Sequence, residues 1–307
     1  MNTLDPVLAF AVFVLGLTFG SFLNVCIYRM PRDLSVVFPG SSCPQCKTPI
    51  KFYDNVPVFS WLILRGRCRK CKARISPRYL LVELLTGAIF LACYAYFGWT
   101  LSLLKYCIFG FLILGLIFTD AETFLLPDKL TLTGLALGLA LSIFVPVNDL
   151  LSQFFLRAPE VSTFHSHLLS FLDSTLGAVV GGAFIYGAGA LYFRARGVEG
   201  MGFGDVKLMA MVGAFLGTKL TIFTIFTASL AGSLFGVWTL LAVWRKRTRR
   251  RQERLHESPA EARRRAWVSA AIALRNYQMP FGVFLGSMAM VALFFGNRFL
   301  RWYWGIF

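Results

Sequence analysis

Charge is scarce in this chain, and acid scarcer still: 15 Asp and Glu stand against 31 Lys and Arg in 307 residues, and only 15% of residues are charged. With 57% hydrophobic and 16% aromatic residues and a mean hydropathy of +0.64, this excludes an ordinary soluble domain and indicates a polytopic membrane protein. A basic n-region is also missing. MNTLDPVLAF opens the chain, and the basic flank at Arg29 and Arg32 follows the first apolar run, so that run is expected to be a retained span rather than a cleaved signal peptide. Histidine is limited to His165, His167 and His256, which fall in or beside predicted loops and read as polar loop residues. GMGFG at 200–204 lacks the GxGxxG spacing and no strand precedes it, which excludes a dinucleotide loop.

What is present is a series of apolar runs, each long enough or nearly so to cross a bilayer as a helix of about 20 residues. They lie near 7–28, 79–97, 101–119, 129–147, 167–193, 206–217, 220–244 and 279–297. The predicted fold class is therefore an all-α polytopic membrane protein of about eight transmembrane helices, with the sixth and seventh meeting at Gly217-Thr218-Lys219. Gly16/Gly20, Gly134/Gly138 and Gly177/Gly181 each put two glycines on one helix face, which permits close helix approach. Orientation follows from the basic residues. If 29–78 faces the cytosol, alternation places 120–129, 194–207 and 245–278 there too, and these segments hold 11, 1, 3 and 11 of the 31 Lys and Arg. Both termini then face outward.

The net charge of +16 raises the question of nucleic acid. Orientation accounts for most of it, and RKRTRRRQER at 245–254 reads as a juxtamembrane anchor attracted to anionic lipid. No aromatic-interleaved recognition surface accompanies it, so no nucleic-acid partner is expected. Its continuation to Arg275 is predicted to be a cytosolic helix.

Residues 40–78 break from their surroundings. Cys43-Pro-Gln-Cys46 and Cys68-Arg-Lys-Cys71 are separated by 21 residues, the interval of a zinc-ribbon-like site in which each pair forms a knuckle and four thiolates complete a tetrahedron. A reducing cytosol disfavours disulfides, and the neighbouring lysines and arginines favour thiolates. No thioredoxin-like βαβ pattern surrounds either pair, which weighs against a redox role. Four cysteine ligands leave no open coordination position, so the zinc expected here is structural. Cys26, Cys93 and Cys107 lie in apolar spans and read as small buried hydrophobes.

Two acids stand where an apolar chain tolerates them least: Asp120 in IFTDAETFLLPD, directly after a span, and Asp205 in EGMGFGDVKLMAM, directly before one. Either alone suits a helix end. Two at matching depth on one side of a membrane are a functional pair by default. Carboxylates sharing a poorly hydrated site cannot both ionise freely, so one holds a proton while the other accepts one from water, an arrangement that supports peptide hydrolysis. Gly200, Gly202 and Gly204 allow backbone to come close to a substrate strand or to the other aspartate. Asp128, after Pro127, reads first as the start of a helix. Glu83 is expected to pair with an arginine such as Arg78 or to line the same cavity.

Taken in order, GSFLNVCIYRMP at 20–31, CPQC, CRKC, ISPRYLLVELLTG at 75–87, TDAETFLLPD at 119–128, GMGFGDVKLMAMVGAFLG at 200–217 and MPFGVFLG at 279–286 resemble the bacterial type IV prepilin peptidases, GxGD-type membrane aspartyl proteases, over nearly the whole chain. The resemblance implies a multi-pass enzyme of the bacterial inner membrane, its active site facing the cytosol. It would remove the basic leader of type IV prepilins and of type II secretion pseudopilins. The family's catalytic pair falls on Asp120 and Asp205. The long, cysteine-containing form commonly also methylates the new N-terminal amine with S-adenosylmethionine. Leu80 departs from the family pattern, which usually has proline there, and the segments at 245–278 and near 148–166 are longer than usual.

The expected organisation is a first transmembrane helix at 1–28, a cytosolic four-cysteine loop at 29–78, and a membrane peptidase core at 79–307 that includes the basic segment 245–278. The reading from another class is an aspartate-dependent transporter or channel with a structural zinc domain. Against it, both aspartates border one surface rather than the bilayer midplane.

Overall fold

A computed structural model describes residues 5–145, 163–197, 202–255, 258–275 and 279–304. Among them the only extended pairings are two isolated bridges, Ser42 with Pro49 and Arg67 with Arg74. The first helix, α1 (Pro6–Arg29), starts where Asp5 accepts the amides of Val7 and Leu8 and Pro6 occupies the first turn, a favourable helix start. The short α2 (Phe59–Ile63) lies in the cysteine loop, and α3 (Arg78–Phe97) stops at Gly98 with φ 64. Their packing depends on the predicted glycines. A Cβ on Gly16 would come within 2.8 Å of Gly87 Cα, and one on Gly20 within 2.7 Å of Glu83 Cα.

Beside this pair stand α4 (Leu101–Thr123), α5 (Asp128–Phe144), α6 (Thr163–Arg196) and α7 (Phe203–Leu255). The Phe109 and Phe215 rings, 5.1 Å apart between centroids, join α4 to α7 in the core. Gly177 of α6 is seated against Gly213 and Gly217 of α7 so closely that a Cβ on Gly177 would lie 2.7 Å from the Gly217 carbonyl carbon. At Gly217 the helix breaks, with φ 75 and ψ 177, a conformation that favours glycine. The buried Asp173 of α6 accepts the Thr218 amide at 3.4 Å and thereby caps the second half. This is the predicted boundary, and the two helical halves of α7 meet there across the kink.

Among the described residues, six helices can cross a membrane by length and composition, against eight predicted runs. The difference has two causes. The segment Asp128–Phe144, at 17 residues, stands at the short end of a spanning helix and is not among the six, and the sixth and seventh predicted spans are the two helical halves of α7 that join at the Gly217 kink and count as one.

Beyond its apolar part α7 carries the basic run, and α8 (Pro259–Arg275) folds back along it. Ala262, Ala266 and Ala270, four apart, are fully buried. The Trp244 indole donates to the Arg263 carbonyl at 3.1 Å and meets Trp267 edge-on. The expected helix to Arg275 is present. The last span comprises α9 (Phe281–Val291), a π-helical turn at Ala292–Gly296, and α10 (Asn297–Trp304). His165 and His167 lie inside α6 rather than in a loop, because that helix starts ahead of its predicted apolar run. His256, Gly200 and most of the 148–166 segment fall outside the described residues.

Candidate active site

Asp120 and Asp205 are held by helix ends that the chain sequence creates locally. Asp120 sits in the last turn of α4, which ends when Phe124 adopts φ 55 and returns its amide to the Asp120 carbonyl at 2.9 Å. Asp205 lies in the first turn of α7, its amide bonded to the Gly202 carbonyl at 3.1 Å. Both side chains are buried, 5% and 8% exposed. They converge on the start of α9. The Val283 amide donates to Asp120 Oδ2 at 3.1 Å. A Cβ on Gly282 would lie 2.8 Å from the same oxygen and 3.4 Å from Asp205 Oδ1.

Gly282 is therefore the residue that lets a third helix enter between the carboxylates. MPFGVFLG is part of the family resemblance, yet the sequence assigns that glycine no role. The available signal is a glycine one residue inside a helix that follows proline, where a backbone amide is free to face a carboxylate.

The surrounding contacts tie the four helix ends together. A Cβ on Gly204 would meet Leu126 Cβ at 3.0 Å, so the glycine before Asp205 packs against the TFLLPD turn after Asp120. Lys207 of α7 pairs with Asp128 at 2.6 Å, and Asp128 is the first residue of α5, as expected. Arg78 pairs with Glu122. The expected pairing of Glu83 with Arg78 is thus corrected: Glu122, at the end of α4, takes the arginine. Glu83 instead accepts the Val58 amide at 2.7 Å and fastens the cysteine loop to α3.

In that loop the two CxxC pairs form matching knuckles. The Cys43 amide bonds to the Thr48 carbonyl and the Cys68 amide to that of Ala73, while Lys47 and Lys72 take positive φ values of 56 and 59 at equivalent places. The four sulfurs lie within 4.8 Å of one another, with Cys43 and Cys71 at 3.8 Å and Cys46 and Cys68 at 4.0 Å. A tetrahedral ion with sulfur at about 2.3 Å requires sulfurs about 3.8 Å apart, so the cluster fits such an ion. The Thr48 hydroxyl and amide hold the Cys46 thiol down to about 6, and the amides of Cys71 and Lys70 lower that of Cys68, which favours thiolates at these two positions. Against the lowering Ala73 amide, desolvation and the three neighbouring thiols push Cys71 up to about 11. Between the knuckles, Arg69 grips Asp54 through Nε and Nη2 and holds its carboxyl below the ordinary value.

Fold and site together define a helical membrane protein whose paired carboxylates meet at one end of the bundle, beside a four-thiol module. The model of the bacterial peptidase A24 N-terminal domain matches residues 14–97, and that of the type IV leader peptidase family matches 106–237. The chain belongs to this family. Similar relatives bear the name prepilin leader peptidase/N-methyltransferase. That of Myxococcus xanthus is 38% identical over 83% of this chain and 69% of its own. That of Neisseria gonorrhoeae is 34% identical over 76% and 82%, and that of Aeromonas salmonicida 31% over 95% and 92%. No solved structure matches.

Proposed function

We propose that this protein cleaves the leader of type IV prepilins and type II secretion pseudopilins through Asp120 and Asp205, and then methylates the new N-terminal amine. The observation that carries the peptidase reading is the convergence of both buried carboxylates on Gly282 and the Val283 amide. Hydrolysis needs one carboxylate to take a proton from water and the other to donate to the scissile carbonyl, with the roles exchanging as the amine leaves. Asp120 Oδ2 is engaged by the Val283 amide, which leaves Oδ1 to exchange the proton. The two acids titrate as one unit. The surrounding ion pairs, Arg78 with Glu122 and Lys207 with Asp128, keep the helix ends in register.

A prepilin carries a basic leader followed by an apolar helix, so its scissile bond lies at the cytosolic boundary of the membrane. The basic segments 29–78 and 245–278 support the same orientation for this end of the bundle, in the bacterial inner membrane and next to anionic lipid. A structural zinc ion suits the four thiolates, which leave it no open position and no part in hydrolysis.

S-adenosylmethionine would supply the methyl group for the second activity. The test is to give purified protein in detergent a leader-bearing peptide and labelled S-adenosylmethionine, with no ion gradient. Appearance of the shortened peptide with label at its N-terminus is the expected result. Intact peptide would refute the peptidase reading, and cleavage without label the methyltransferase reading.

A further inference from the structure

Ser21 and Arg29 of the GSFLNVCIYRMP run take no part in the aspartate site, yet both face a cavity of about 320 Å³ between α1 and the segment 36–57. Phe22, Gly40, Asn55 and Pro57 are also in its lining. The size is that of a site for a small organic molecule, and an apolar wall with a few polar groups is the usual lining of one. The cavity lies wholly inside the 14–97 match, whereas both aspartates lie in the separate match at 106–237. A two-activity reading thus has one module with the acids and another with an unassigned cavity.

We propose that this cavity binds S-adenosylmethionine, the donor for the N-methylation proposed above, on which this inference rests. The donor has an adenine ring, a positively charged sulfonium, and an amino-acid end with a carboxylate. Arg29 spends Nη1 on the Ser35 carbonyl and Nη2 on that of Gly40, and a guanidinium has five donors, so it retains N–H groups for a carboxylate. The Phe22 ring offers a face to the base or to the sulfonium. The Asn55 carboxamide has both a donor and an acceptor for the edge of the base.

The walls are braced independently of the aspartates. Glu83 accepts the Val58 amide at 2.7 Å and bonds to Ser21, which joins the Pro57 wall to α1. Val58 stands at φ 65, unfavourable for a β-branched residue unless its surroundings hold it. Glu83 is accordingly a positioning residue. The other wall leads into the first knuckle, where the Ile50 amide returns to the Ser41 carbonyl at 2.8 Å. During transfer the neutral N-terminal amine forms a C–N bond to the methyl carbon as the C–S bond breaks. The electron pair stays on sulfur, and the extra proton on nitrogen passes to solvent.

The test is direct binding. Labelled S-adenosylmethionine is photocrosslinked to the purified full chain and the labelled peptides are mapped, and affinity is measured by equilibrium dialysis for the unmutated protein, Gly40→Phe and Arg29→Gln. A Cβ on Gly40 meets nothing within 4 Å, so the backbone there accepts a side chain whose ring adds bulk at the cavity, and leader cleavage by each preparation reports whether it is folded. Label within residues 18–57 and affinity weakened roughly tenfold or more, about 1.4 kcal/mol, is the expected result. Label elsewhere, or unchanged affinity in both variants, overturns the location. Absence of any donor binding by the unmutated protein would instead overturn the methyltransferase reading. Glu83→Gln, which keeps an acceptor for Val58, should bind the donor better than Glu83→Ala; equal loss in both would remove the positioning role.

Discussion

The four thiols and the two acids come together at one end of the same bundle by opposite routes. Each CxxC pair closes its own turn, with a lysine at positive φ and a cysteine amide returning across the knuckle, so half of the cluster exists before the halves meet. The acids have no local unit. Asp120 ends one membrane helix, Asp205 begins another, and a third contributes the Val283 amide and the gap at Gly282. On the proposed reading an ion holds the two small pieces of the thiol module together, whereas the acid site is held by the packing of the whole core. Damage to the first should stay local, and small displacements in the second should be felt in the chemistry.

The largest test of that contrast is at the acids. Asp120→Asn and Asp205→Asn should each reduce leader cleavage by roughly 10³-fold or more, and the double variant should be little worse because the pair acts as one unit. Assay of purified proteins on one leader-bearing peptide checks this; full activity in either single variant would sink the pairing. The Asp205→Asn protein should still methylate a pre-cleaved peptide with a free N-terminal phenylalanine, since methyl transfer is a matter of positioning rather than of carboxylate acid–base work.

Next in size is the thiol module. Unmutated protein should contain about one zinc per chain. Cys43→Ser or chelation should release it, open residues 40–78 to protease, and impair methylation while leader cleavage survives. Metal analysis with limited proteolysis reads both effects. Retained methylation in metal-free Cys43→Ser protein would show that the cavity walls do not need the knuckles.

A smaller effect separates position from chemistry. Gly282→Ala adds one carbon 2.8 Å from Asp120 Oδ2, and cleavage should fall by about 10- to 100-fold with little change in thermal stability. Cleavage at the unmutated rate would mean that α9 does not set the carboxylate geometry. The smallest effect should come from Asp128→Asn, which removes a largely exposed pair with Lys207 and should cost no more than about 1 kcal/mol, read as a minor shift in melting with cleavage nearly intact.

Much of this molecule is legible in the chain. The CxxC spacing specifies a local geometry, so the thiol cluster can be anticipated residue by residue. The apolar runs mark every helix that forms the bundle, and the paired glycines mark where backbones meet. Glu83 was harder, because an acid near an arginine in sequence suggests a pair, while the fold gives that arginine to Glu122. The meeting of the sixth and seventh runs at Gly217-Thr218-Lys219 is legible too, since a glycine between two apolar runs is where the backbone leaves helical geometry, with φ 75 and ψ 177. Asp173, which caps that break from another helix, has no sequence signal beyond being an acid in an apolar run.

By itself the sequence determined the membrane class, the helix boundaries set by Pro, Gly and short polar turns, and the two knuckles, because these depend on composition and on contacts within a few residues. Only the tertiary structure decided that Gly282 stands against both Asp120 and Asp205, that Glu83 holds Val58, and that α1 and the cysteine loop border a cavity. Those relations join residues distant along the chain, and close packing of helices, which no local preference encodes, is what brings them within hydrogen-bonding distance.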